Sequence, residues 1–150
     1  MTIFNSSFRL PNLLIGKVFA TILFFSLFFT SCTHKQVFLT SSKVPAARGN
    51  VKIKIDKNKN HSIEVSLINL AEPSRLSPAK SLYIVWMETD QKVIKNIGQI
   101  ITDNGSFSKT LKAEFKTVTS FTPIKVFITA ENDANVQFPD YDVVISTARF

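Results

Sequence analysis

Val51-Lys52-Ile53-Lys54-Ile55-Asp56, a turn cluster at Asn58-Lys59-Asn60-His61, and Ile63-Glu64-Val65-Ser66-Leu67-Ile68 decide the fold class. Apolar side chains recur at every second position on both sides of the turn, which is the signature of two half-buried strands joined as a hairpin. A helix would repeat its apolar residues at alternating spacings of three and four, whereas here they fall at every second position.

The same reading extends downstream. Residues 71–80 hold Pro73 and Pro78 and form a loop. Leu82-Tyr83-Ile84-Val85-Trp86-Met87 is apolar on both faces, as a central strand must be, with Trp86 as its anchor. A strand over 93–101 follows, interrupted at Gly98, where a bulge or a close backbone approach is expected. Asp103-Asn104-Gly105-Ser106 is a turn, and a less regular strand runs from Phe107 to Phe115. Thr117-Val118-Thr119 argue against a helix there. Pro123 opens Ile124-Lys125-Val126-Phe127-Ile128-Thr129-Ala130, and residues 141–147 close the domain. Seven short strands in about 100 residues, without an amphipathic helix, predict an all-β chain. The expected form is an immunoglobulin-like antiparallel β-sandwich over 51–150.

Upstream the character changes. Of the 14 phenylalanines in this 150-residue chain, seven lie before residue 30, beside two bases, Arg9 and Lys17, and no acid. Residues 18–29 are an apolar run of twelve, followed by Thr30-Ser31-Cys32. A basic stretch, a short apolar run and small residues at its end describe a secretory signal peptide, here residues 1–31, expected as a helix. Twelve helical residues rise about 18 Å, short of the roughly 30 Å hydrocarbon core of a bilayer. Extension back to Leu13 would bury Lys17, so a permanent membrane span is the weaker alternative.

Phe29-Thr30-Ser31-Cys32 resembles the lipobox of bacterial lipoproteins. That resemblance implies cleavage between Ser31 and Cys32, a diacylglyceryl group on the Cys32 thiol and a further acyl chain, such as palmitate, on its amine. Several acyl chains anchor stably, because each buried CH₂ adds about 0.8 kcal/mol. The implied location is the cell envelope, lipid-anchored, at the outer membrane facing the periplasm; Thr33 stands where an Asp would hint at inner-membrane retention. Residues 32–50 are polar and punctuated by Pro45 and Gly49, and read as a flexible tether, with Val37-Phe38-Leu39 as an alternative edge strand.

Tyr83-Ile84-Val85-Trp86, Ile97-Gly98-Gln99-Ile100, Phe121, Val126-Phe127-Ile128-Thr129-Ala130-Glu131, Phe138-Pro139 and Val143-Val144-Ile145 occur in that order. Together they resemble the extracytoplasmic C-terminal domain of the anti-sigma-K factor family and small lipoproteins built on it. The resemblance covers about residues 80–147 and implies a β-sandwich. The family's glycine-rich turn is replaced by Asn132-Asp133-Ala134-Asn135, and no sigma-binding domain precedes Cys32.

Candidate chemistry is sparse. A lone cysteine excludes a disulfide framework and a Cys-rich metal site. His61 reads as a solvated turn residue and His34 lies two residues from the anchor, so no nucleophile–base pair is assembled and no enzyme is expected. Glu131, Asp133, Asn135 and Asp140 bring oxygen ligands of the kind calcium uses into one stretch, but without the glycine of an EF-hand. No cofactor is expected. Lys52, Lys54, Lys57 and Lys59 line the first hairpin, with Lys92, Lys95, Lys109, Lys112 and Lys116 beyond. Outward lysines block edge-to-edge pairing and, as an alternative, attract anionic lipid headgroups or acidic glycans. Without interleaved exposed aromatics, nucleic acid is not an expected partner.

The expectation is a non-catalytic, membrane-anchored lipoprotein that binds or supports other envelope components. The alternatives are an envelope sensor of anti-sigma type and a calcium- or anionic-surface-binding module.

Overall fold

The computed structural model describes residues 33–103, 112–140 and 142–150, with the side chains of 101–103 left aside. Cys32, the residues before it and most of the expected strand from Phe107 lie outside these residues.

Among the described residues there are eight strands: β1 Thr33–Val37, β2 Arg48–Ile55, β3 His61–Ile68, β4 Leu82–Thr89, β5 Ile94–Asp103, β6 Lys112–Thr119, β7 Pro123–Glu131 and β8 Val143–Ser146. Every ladder is antiparallel, and one 3₁₀ turn, Pro73–Arg75, is the only helical element among the described residues. The chain is an all-β antiparallel sandwich. One sheet holds β1, β2, β3 and β6, and the other holds β5, β4, β7 and β8. β5 crosses the corner between them. Ile94–Ile100 pair with β4, whereas residues 101–103 pair with Glu114, Ala113 and Lys112 of β6. The order β6-β5-β4-β7 is a Greek key: three hairpin-linked strands and a fourth that returns beside the first.

The alternation in the first hairpin is realised as expected. Val51 and Ile53 of β2, and Ile63, Val65 and Leu67 of β3, point inward and are buried. They meet Tyr83, Val85, Met87, Val126 and Ile128 of the facing sheet. Burial of each such side chain stabilises the fold by about 1.5–3 kcal/mol. The hairpin turn is built by Asp56, whose Oδ1 accepts the Asn58 and Asn60 amides, each at 2.8 Å. The Asn60 amide bond, first among several, holds the Asp56 carboxyl below its usual range.

β4 is buried along its whole length except Leu82, which is half-buried. Its two faces meet different partners. Tyr83, Val85 and Met87 enter the core between the sheets, and the Tyr83 hydroxyl donates to Ala71 O at 2.8 Å. Burial pushes that hydroxyl up to about 12. Ile84 and Trp86 point away from the core and form a second cluster with Phe127, covered by Ala134 and Val136 of the β7–β8 loop. Trp86 and Phe127 stack at 6.3 Å between ring centroids, 12° from parallel. Trp86 is thus an anchor, as expected, but of this outer cluster rather than of the inter-sheet core.

At Gly98 both expected features occur. The β4–β5 register shifts between Val85 and Trp86, opposite Gly98 and Asn96, and Gly98 adopts φ +136° with the Phe115 ring against it.

The stretch 32–50 departs from the expected tether, and the sandwich begins at Thr33 rather than Val51. β1 pairs with β2 through five residues, and β2 itself starts at Arg48. Phe38, Val44 and Ala47 are buried in the core. Phe38 N donates to Gly49 O at 3.1 Å and Leu39 N to Ser146 O at 2.8 Å, so this segment joins β2 on one side and β8 on the other. The Ser41 hydroxyl donates to Val144 O and accepts the Val44 amide. Burial of three apolar residues and these backbone bonds outweigh the entropy of an eighteen-residue coil, which polar composition alone had suggested.

Gly49 lies where β2 approaches β3 most closely. An added Cβ would stand 2.2 Å from Ser66 O and 2.6 Å from Leu67 Cδ2, and the first of these is backbone. Gly49→Ala is expected to lower unfolding free energy by about 1–3 kcal/mol. A urea transition whose midpoint does not move would contradict this packing.

Candidate functional site

The acidic residues proposed for calcium do not converge. The Glu131 carboxylate is buried beneath the β7–β8 loop, where Oε1 accepts the Thr129 hydroxyl at 2.6 Å and the Asp140 amide at 2.9 Å. Thr129 Oγ1 in turn accepts Trp86 Nε1–H at 2.8 Å. Asp133 Oδ1 accepts the Asn135 amide at 2.9 Å, and Asp140 Oδ2 takes the Lys80 ammonium at 2.8 Å, which raises the Lys80 pKa. Glu131 Oε1, Asp133 Oδ1 and Asp140 Oδ2 thus shape or fasten the loop. Among the described residues no group of three His, Cys, Asp or Glu could hold a metal ion.

This Trp86–Thr129–Glu131–Asp140 chain roofs the outer face of the second sheet. Asn96 Nδ2 completes the roof, donating to Ala134 O and Val136 O at 3.0 Å each. The middle of that face, at Ile84, Trp86 and Phe127, is therefore covered by the protein itself.

His61 also differs from its expected place. It opens β3 rather than sitting in the solvated turn, it is half-buried, and its Nδ1 is buried without a partner. His34 is exposed on β1.

The outer face of the first sheet carries the remaining candidates. Register places its side chains in four rows across β1, β2, β3 and β6. The first row is Thr33, Lys54, Ser62 and Val118, and the second is Lys35, Lys52, Glu64 and Lys116. The third is Val37, Asn50, Ser66 and Glu114, and the fourth is Arg48, Ile68 and Lys112. Six cations thus share four strands with two acids. Glu64 is bonded to Lys116 Nζ at 2.9 Å. That bond, followed by the charges of Lys116, Lys54 and Lys52, holds its carboxyl below the usual range. Val37, Ile68 and Val118 are exposed apolar residues within the same grid.

The four hairpin lysines are therefore divided. Lys52 and Lys54 lie on this face, whereas Lys57 and Lys59 stand on the exposed turn, Lys59 at φ 65°. Lys35 and Arg48 complete the face and were hidden in the supposed tether; their only sequence signal is charge. Ser31 and Cys32, the expected cleavage and acylation residues, lie outside the described residues, but Cys32 is covalently joined to Thr33, the first residue of β1. Among the described residues no helix is long and apolar enough to cross a membrane.

No family model, no curated protein and no solved structure matches this chain.

The roof depends on Thr129 relaying between Trp86 and Glu131. Thr129→Val keeps the volume but leaves the indole N–H and a carboxylate lone pair without their partner, at a cost of about 1–3 kcal/mol. A matching rise in Trp86 fluorescence quenching by acrylamide is expected; unchanged stability and quenching would show that the relay does not hold the loop.

Proposed function

We propose that this protein is a lipid-anchored, non-catalytic module of the bacterial cell envelope that binds or supports other envelope components. It would be held at the membrane through acylated Cys32, on the outer-membrane side that faces the periplasm. The observation that carries this reading is the position of the single cysteine, at the end of the apolar run 18–29 and one residue before the first strand of the domain.

The surface supports a binding role over chemistry. The acids of the β7–β8 loop are engaged in shaping that loop, and the charge of the first sheet is spread over four strands. The immunoglobulin-like reading of the sandwich belongs with this proposal. A sensor role of anti-sigma type rests on the sequence resemblance alone and adds no site.

Metabolic labelling with a palmitate analogue tests the anchor. The wild-type chain is expected to take up label and to fractionate with membranes. Cys32→Ala should carry no label and be released by detergent-free extraction. Equal membrane retention of an unlabelled wild-type chain would overturn the proposal.

A further inference from the structure

We infer that the outer face of the β1-β2-β3-β6 sheet is a docking surface for anionic phospholipid headgroups, so that the domain lies with this face against the bilayer that holds its anchor. The inference rests on the lipid-anchor reading and adds to it an orientation and a lipid class.

Three observations carry it. The first is charge complementarity. Lys35, Arg48, Lys52, Lys54, Lys112 and Lys116 lie on one face with two acids, Glu64 and Glu114. The rest of the chain after Ser31 has ten Lys and Arg against nine acids, so the excess is concentrated here. The second is extent. Strands about 4.8 Å apart and rows about 6.8 Å apart make a surface of roughly 15 by 20 Å, and a hollow lined by Lys35, Arg48, Asn50 and Ser66 lies within it. Val37, Ile68 and Val118 add apolar contact at the headgroup boundary. The third is attachment. Cys32 adjoins β1, with no spacer, so acyl chains entering the bilayer from it hold this sheet within a strand's length of the headgroups. On the opposite sheet the β7–β8 loop packs over Ile84, Trp86 and Phe127 and takes up the middle of the outer face.

Edge protection alone does not account for the arrangement. It calls for lysines on edge strands, whereas Lys52 lies on β2 and Lys116 on β6, each paired with β3.

The test uses the full acylated protein in vesicles of pure phosphatidylcholine or of phosphatidylcholine with one-third phosphatidylglycerol, with amine-reactive labelling read by mass spectrometry. On anionic vesicles, labelling of Lys35, Lys52, Lys54, Lys112 and Lys116 is expected to fall at least fivefold relative to neutral vesicles, while Lys92 and Lys125 keep their labelling. High salt, which shortens the Debye length to about 3 Å at 1 M, should restore it. Lys35→Gln with Lys52→Gln should weaken the protection of Lys54 and Lys116 by about fivefold per charge removed, with folding checked by circular dichroism. Equal labelling on both vesicles overturns the inference. So does protection that arises only in whole envelopes, which would identify a protein or glycan as the occupant. Failure to float with neutral vesicles would instead defeat the anchor, and the face would then be read from flotation on anionic vesicles alone, where no binding at low salt overturns it.

Discussion

β4 has no polar face, and the rest of the molecule is arranged to cover it. Its inward residues, Tyr83, Val85 and Met87, require the opposing sheet. Its outward residues, Ile84 and Trp86, would lose about 2 kcal/mol apiece if left in water, and the β7–β8 loop folds back over them. A loop that covers apolar surface must satisfy its own backbone and polar groups. Glu131, Thr129, Asn96 and Asp140 do so through the relay under the roof. The carboxylates that resembled a calcium site are therefore consequences of the burial of Trp86.

That constraint also assigns the two outer faces different roles. One is taken up in covering β4, which leaves the face of β1, β2, β3 and β6 as the broad sheet surface open to solvent. The ends of the chain reinforce the asymmetry. Residues 38–44 tie the first sheet to β8, while Arg149 Nη2 binds the largely buried Glu88 carboxylate at 2.6 Å and Phe150 N donates to Ile124 O. Residues 33–44 are thus a structural part of the sandwich.

The sequence made the hairpin plain because its core contribution is written every second residue from Val51 to Leu67. The two-faced character of Leu82–Met87 was equally legible, but which face held the tryptophan was not, since that depends on a loop 50 residues away. β1 was silent for a physical reason. Its inward positions, His34 and Gln36, are polar, so Thr33–Val37 carries no alternation and is recruited by backbone pairing to β2. Only Phe38 hinted at a core residue beyond it. Lys52 and Lys54 could be found as outward charges, but the rows joining them to Lys35, Glu64 and Lys116 require the register of four strands. Arg48 and Lys35 were lost with the tether, and His61 was misplaced because the turn closes one residue before it.

The central claim is that the domain begins at Thr33, so that its basic face is presented rigidly beside the anchor. Amide hydrogen exchange across residues 33–39 of the full chain tests it most directly. Strand pairing of β1 and the bonds from Phe38 and Leu39 predict protection comparable to that of β2. Exchange at the rate of an unstructured peptide would return these residues to a tether and leave the face free to turn away from the membrane.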